Sequence, residues 1–405
     1  MKEILIISGN RVAPAMTGGQ VHSLSIARAL ARIGHTVRIY SLAGRFEDYA
    51  PRSLLRDRSP DNPLEERLSE ETNLGLFFGV VQAVTRRLDY PRIWQHAFLS
   101  RGFIPHGLRT ALRRADIVLS DLPYCAPVPG PWRIKPWFLI SHNLEHKLLE
   151  QGGPRQQRYA EWMRRIESRA PREYVDIFAC ADEDRDFFRD HDDSRQLKLP
   201  LIRCGVDPRA YAGTREMREK IRSDLGLGPA DWLVVFSGSG FAPNVDAFEA
   251  LEGFCASERE FLARTRVHFL VVGSVAASAS RNGNLIVTGS VPEILPYFAA
   301  ADAGINLVTR GSGSNVKIFE YLAARLPVIS TTFGVRGTEL TPVTDYLPCT
   351  GVDLKEVVTR FIGDDRTYWR SYAEGVWARH KKTCDIQDLV ESAIASIPAF
   401  HTVQG

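Results

Sequence analysis

The chain has 405 residues, 44% hydrophobic and 24% charged, with a net charge of +3. That length exceeds one ordinary core and divides naturally into two domains of about 200 residues. No run reaches the roughly 18 apolar residues of a membrane span, and six widely spaced cysteines (125, 180, 204, 255, 349, 384) disfavour both a zinc site and a disulfide framework, leaving buried thiols of a reducing cytoplasm as the expectation.

Charge is uneven along the chain. Residues 1–205 hold 31 basic and 25 acidic side chains, the remainder 20 and 23, which points to an anionic partner for the first half. The opening MKEILIISGN has no signal-peptide architecture, and Ile4 to Ser8 reads as a first strand. From Gln20 a helix places Leu24, Ala27, Leu30 and Ile33 at core spacing and stops at Gly34; Thr36 to Ser41 is the next strand. This βαβ opening has Gly18-Gly19 before its helix but no GxGxxG, so NAD is disfavoured. The two glycines also fit a simple tight turn. His22, in the first turn, faces a cleft or lies on the surface.

Residues 44–72 read as an irregular excursion rich in Arg, Asp, Glu, Pro and Ser, and the apolar patch Leu74 to Val84 is too short to span a bilayer. Segment 86–114 has seven arginines (86, 87, 92, 101, 109, 113, 114) against one acid, Asp89, interleaved with Tyr90, Trp94, Phe98 and Phe103. It suits an anionic lipid surface or a pyrophosphate-linked acceptor, and equally a solvated arginine face over core aromatics. Nucleic acid is the weaker option, since no binding module is present.

Asp116 to Leu119 and Trp137 to Ser141 are further strands, the second running into Ser141-His142-Asn143-Leu144-Glu145. A histidine at the carboxyl end of a parallel strand lies where open α/β sheets bind ligands, although a core or capping role fits as well. Residues 155–172 read as an Arg/Glu-studded helix with a solvated face. Val175 to Cys180 is the last strand of the first half, with Ala181-Asp182 capping the following helix. In the second half Trp232 to Ser237, Val267 to Val272, Leu285 to Val287, Gly304 to Val308 and Val328 to Ser330 alternate with helices. Ser237 to Asn244 is a small-residue loop before one of them. Ser290 and Glu293 form a capping box.

The most informative stretch is AGINLVTRGSGSNVKIFEYLAARLPVIST, residues 303–331. A buried strand, a loop Thr309 to Asn315 without bulky side chains after Arg310, and a helix with Val316, Phe319, Leu322 and Ala323 on one face end at Pro327. Amides at such a helix start make an anion site. Lys317 adds a full positive charge, and Glu320 one turn later accepts hydroxyl hydrogen bonds, a combination suited to a nucleotide diphosphate and its ribose. A surface Lys–Glu pair at i, i+3 has the same spacing.

Glu320-Tyr321-Leu322-Ala323-Ala324-Arg325-Leu326-Pro327-Val328 resembles the donor-site signature of GT-B glycosyltransferases of family 4, in which a glutamate and Ala-Met-Ala-Ala-Gly-x-Pro-Val grip the donor ribose. The first glutamate of that signature falls on Ser312, but Gly311 to Lys317 resembles the bacterial variant with a small-residue loop and a lysine three before the glutamate. Leu199 to Asp207 is similar to the inter-domain stretch of the family, and helices near 364–380 and 385–397 to its C-terminal pair.

The resemblance implies an α/β GT-B fold: two doubly wound Rossmann-like domains facing a central cleft, with a C-terminal helix crossing back. An acceptor-side domain covers 1–203 with the crossing helix 384–405; a nucleotide-sugar domain covers 204–383. It implies transfer from a nucleotide-sugar of UDP or GDP type to a saccharide or lipid-linked acceptor hydroxyl, with retention and without metal or cofactor, in cell-surface polysaccharide or glycolipid assembly. His142, Lys317 and Glu320 are then catalytic. Gly18, Gly19, Ser237, Gly238, Gly289, Ser290, Val291, Arg310, Gly313, Ser314 and Asn315 bind donor, and His22 and Glu145 meet acceptor, with a helix cap as the other reading of Glu145. The arginine and lysine that the family carries after Ser237 are missing, so Lys317 and Arg310 supply that charge. The expected location is cytoplasmic, peripheral at the inner membrane face. A catalytically silent GT-B subunit and a nucleotide-sugar epimerase are the competing readings.

Overall fold

The computed structural model describes residues 1–9, 11–13, 15, 17–42, 67–71, 96–97, 99–125 and 135–401, apart from the side chain of Arg155. The patch 74–84, all of 44–66 and, of the basic segment, Arg86, Arg87, Asp89, Tyr90, Arg92, Trp94 and Phe98 lie outside the described residues. The chain divides into two compact units, Met1–Arg203 with Ile386–Gly405, and Cys204–Asp385.

The first unit runs β1 (Glu3–Ser8), α1 (Gly18–Arg32), β2 (Thr36–Ser41), β3 (Leu68–Glu71), α2 (His106–Arg114), β4 (Ile117–Asp121), β5 (Trp137–Ser141), α3 (Glu145–Glu150), α4 (Pro154–Glu173), β6 (Asp176–Ala179) and α5 (Asp182–Asp190). Its sheet is parallel in the order β3-β2-β1-β4-β5-β6, with Ile6 beside Ile39 on one flank and Leu119 on the other. Strands buried on both faces need continuous apolar runs, which is why Ile4–Ile7 and Trp137–Ile140 are readable without alternation.

Edge strand β3 corrects the irregular reading for residues 68–71. Its sequence, LSEE, has no apolar pattern because its carboxylates are tied instead: Glu70 accepts from the amides of Val12 and Ala13 and from Ser41, and Glu71 pairs with Arg38. Gly18 and Gly19 do not make a tight turn. They begin α1, whose N-terminus is capped by Thr17. Behind its solvated face α4 buries Glu167, 0% exposed, which caps α3 by accepting from the amides of Glu145 and His146. At α5 the N-cap Ala181 offers no side-chain bond; Asp182 is the first helical residue and pairs with Arg185 and Arg203.

The second unit runs α6 (Arg215–Asp224), β7 (Trp232–Ser237), α7 (Ala242–Ser257), α8 (Arg259–Thr265), β8 (Val267–Val272), β9 (Ser280–Asn282), β10 (Leu285–Gly289), α9 (Leu295–Ala300), β11 (Ala303–Asn306), α10 (Val316–Ala323), β12 (Val328–Ser330), β13 (Leu347–Pro348), α11 (Leu354–Gly363) and α12 (Arg366–Cys384). Its sheet order is β13-β12-β11-β7-β8-β10-β9, parallel except for the antiparallel edge strand β9. Ignoring that edge strand, the order repeats that of the first unit, so both are doubly wound. The capping box at Ser290 and Glu293 is absent: α9 starts only at Leu295, with Pro296 in its first turn and no side-chain cap.

Helix α13 (Ile386–Ala395) returns to the first unit. Its Ile386, Leu389, Val390 and Ala393 join one apolar cluster with Ile26, Ala27 and Leu30 of α1. All six cysteines are buried thiols.

Candidate active site

In a doubly wound sheet, adjacent strands whose crossovers leave in opposite directions open a crevice at their carboxyl ends. In the second unit those strands are β7 and β11. The loop from β11 to α10 turns through Gly311 (φ 131°) and Gly313 (φ 68°), backbone that a side chain would strain. It is tied down from outside: Arg336 donates to the Ser312 carbonyl at 2.6 Å while lying 4.1 Å over the Phe333 ring. Asn315, the N-cap of α10, donates to the Gly334 carbonyl at 2.7 Å. No side-chain cap is therefore made, and the first amides of α10 keep their anion-binding character.

Lys317 lies in that first turn but is only 8% exposed. Its ammonium donates to Asn244 Oδ1 at 2.8 Å and stands 4.1 Å over the Phe236 ring. Burial lowers its pKa to about 7, with Glu320 pulling the other way. Burial thus works against the full charge read from the sequence. Glu320, 9% exposed, accepts from the Tyr211 hydroxyl at 2.8 Å. Burial raises its pKa, against the pull of Tyr211 and Lys317.

Other expected donor residues are engaged within the unit. The Ser237 amide donates to the Tyr321 hydroxyl at 3.0 Å and the Gly238 amide to the Val272 carbonyl at 3.0 Å. A Cβ on Gly238 would lie 3.1 Å from the Phe236 ring, so packing explains this glycine. Gly289 (φ 68°) closes β10, its carbonyl accepting from Gly273; beyond it Ser290 is exposed and Val291 half-buried. Arg310 pairs with Asp246 at 2.5 Å on the surface, which raises its pKa. Its charge is already partnered.

In the first unit the corresponding strands are β1 and β4, and a buried polar chain gathers at their ends. Asp121, the last residue of β4, accepts from Ser8 at 2.6 Å, from Ser23 at 2.9 Å and from His142 Nε2. Burial alone would raise the Asp121 pKa; His142 and the two serine hydroxyls outweigh it and hold the carboxyl below the usual range. His142 thus turns Nδ1 to His22 Nδ1, 2.9 Å away, the rings crossing at 74°. A neutral His142 protonated on Nε2 requires His22 to donate, leaving His22 Nε2 as a lone pair. That atom is buried and has no partner among the described residues.

His22 is therefore no surface residue, being 1% exposed. His142 does not cap α3, whose N-cap is Leu144. Glu145 is buried as the first residue of α3, where Glu167 makes the cap. Gly19 has no atom of the described residues within 4 Å of a would-be Cβ, so none of them demands a glycine there.

Sequence reading missed Asp121 because it ended β4 at Leu119; a carboxylate at the carboxyl end of an apolar run was the available signal. It also missed Ser8, Ser23, Asn244 and Tyr211. The described residues hold no cluster of metal-ligand type and no helix long and apolar enough to cross a membrane. Of the basic segment, Arg101, Phe103, Arg109, Arg113 and Arg114 are exposed, while Leu108, Ala111 and Leu112 face the core.

Residues 16–210 match a family model described as Glycosyltransferase Family 4, and residues 233–348 one described as Glycosyl transferases group 1, together well over half the chain. Among curated proteins no match is found. Among solved structures, Anabaena HepE in complex with UDP and glucose matches with a TM-score of 0.66 at 14% identity, covering 98% of this chain and 99% of that one. Sucrose-phosphate synthase from Thermosynechococcus elongatus matches at 0.68 and 14%, covering 97% of each. WaaG, a glycosyltransferase involved in lipopolysaccharide biosynthesis, matches at 0.59 and 18%, covering 98% and 100%. Likeness at these identities concerns the fold, which the chain shares from end to end.

Proposed function

Because the chain belongs to the group 1, family 4 glycosyltransferases, we propose that this enzyme takes its sugar from a nucleoside-diphosphate donor of UDP or GDP type and moves it to a saccharide or lipid-linked hydroxyl. The observation that carries the reading is the pair Lys317 and Glu320, set one turn apart behind the uncapped start of α10. HepE has been solved with UDP and with UDP-glucose, which supports a donor of this class.

The chemistry needs stabilisation of a departing diphosphate beside an oxocarbenium-like centre, without the ordering cost that water would impose. The first amides of α10 and the Lys317 ammonium meet the diphosphate. Glu320 accepts from the ribose hydroxyls. Lys317 rests on Asn244 and the Phe236 ring until an anion arrives, and the anion restores its full charge. Asp121 fixes His142 with its proton on Nε2, and the family resemblance assigns His142 to the donor sugar. Retention, independence of metal, and a place in cell-surface polysaccharide or glycolipid assembly at the inner membrane face complete the proposal. Exposed Arg101, Arg109, Arg113 and Arg114 are its candidate contacts with an anionic surface.

Release of free nucleoside diphosphate, measured with UDP- and GDP-sugars and a panel of saccharide acceptors, tests the assignment. Release that appears only with acceptor is the expected result. Binding without release would indicate a silent subunit, and an isomerised donor sugar with intact diphosphate would indicate an epimerase.

A further inference from the structure

Tyr211 closes a short 3-10 turn, Pro208–Tyr211, whose start is capped by Asp207 accepting from the Arg209 amide. Two residues on, Gly213 lies so close to α9 that an added Cβ would come within 2.6 Å of Ala299 Cβ, which presses the turn onto that helix. The Tyr211 ring stacks at 6.2 Å and 22° on Phe298, which is fully buried. Phe298 in turn meets Tyr321 edge-on at 5.4 Å, and Tyr321 follows Glu320 in α10. Three aromatic rings thus fix where the Tyr211 hydroxyl points. It donates to Glu320 Oε1 at 2.8 Å, across 109 residues of sequence.

A carboxylate buried this deeply has two routes to lower energy: it can accept hydrogen bonds or take up a proton. The ionised, oriented form is the better acceptor for two neighbouring hydroxyls, because a protonated carboxyl has lost part of its acceptor capacity. The Tyr211 bond favours the ionised form and fixes the carboxylate plane, leaving Oε2 and the second lone pair of Oε1 for a ligand.

We infer that Tyr211 is a positioning residue that locks the Glu320 carboxylate for a vicinal diol, so that the site distinguishes ribonucleoside diphosphates from their 2′,3′-dideoxy counterparts. The inference rests on the reading that Glu320 meets the donor ribose. It adds that selectivity for the sugar of the nucleotide depends on a hydroxyl that does not itself touch the nucleotide.

Calorimetric titration of the full chain with UDP and GDP, each beside its 2′,3′-dideoxy form, tests this with wild type, Tyr211→Phe and Glu320→Gln. Wild type should favour the ribo form about tenfold or more, roughly the value of one good hydrogen bond. Tyr211→Phe keeps the ring on Phe298, so it should lose most of that preference while binding the dideoxy form as before. Glu320→Gln should lose it as well. If Tyr211→Phe keeps the ribo preference, or weakens both forms equally, Tyr211 is a packing residue and the inference falls while the ribose reading stands. If neither nucleotide binds, if wild type shows no preference, or if Glu320→Gln retains it, the ribose reading fails and takes the inference with it.

Discussion

An ammonium held between an amide oxygen and an aromatic face gives up much of its hydration, and the lost solvation lowers the proton affinity of Lys317 to about pH 7. Unliganded enzyme therefore loses this proton as pH rises through 7, whereas a bound diphosphate holds it to higher pH. Binding above pH 7 must then take up a proton, so nucleoside diphosphate affinity should fall as pH climbs from 7 to 9. In Lys317→Ala that slope should vanish. The same depression acts on folding with its own sign: an unfolded lysine at 10.5 binds protons that the folded one releases, so stability rises with pH between about 7 and 10.5. For the reaction, losing one preorganised donor costs about 2.7–4 kcal/mol, or about a hundred- to thousandfold in turnover. Lys317→Ala should fall in that range with its circular dichroism spectrum intact, and Lys317→Arg should recover only part, because a forked guanidinium replaces a point charge. If Arg310→Ala abolished turnover and Lys317→Ala did not, the charge would belong to Arg310 despite its pairing with Asp246. Lys317 and Glu320 were legible because they share one helical turn. Asn244 and Tyr211 were not, since their bonds to these residues cross 73 and 109 positions and only the fold creates them.

At the scale of elements, α10 owes its seat to Gly304 in β11. A Cβ there would lie 2.4 Å from the Tyr321 ring, whose hydroxyl reaches Ser237 and Ile305 in the two central strands. Gly304→Ala should therefore push α10 off the sheet and cost about 1–3 kcal/mol, the usual penalty of overpacking. Urea unfolding reads this as a lower midpoint at unchanged slope; an unaltered midpoint would show that the strand–helix contact is slack. Strands buried on both faces, such as Trp137–Ser141, Trp232–Ser237 and Val267–Val272, are readable from apolar runs alone. Edge strand β3 escapes that pattern because its carboxylates serve amides and Arg38 rather than a core. The capping box fails for a related reason: local side-chain spacing at 290–293 cannot tell where α9 starts.

At the scale of the molecule, two sheets repeat one strand order, with Asp121 at the end of β4 in one and the loop after β11 leading to Lys317 and Glu320 in the other, each beside the point where the winding reverses. The first unit is completed only when α13 returns from the far end of the chain to cover Ile26, Ala27 and Leu30. The alternation of strands and helices over each half made the doubly wound units legible, whereas the buried Asp121–His142–His22 chain depends on three elements meeting. The central claim is that α10 of the second unit carries the nucleotide. It is tested most directly by calorimetric titration of the full chain and of Glu320→Ala with UDP- and GDP-sugars. The account predicts that the donor bound by wild type loses about 1–3 kcal/mol of affinity in the variant, the cost of unpairing a charged hydrogen bond. Equal affinity in the two proteins would contradict it.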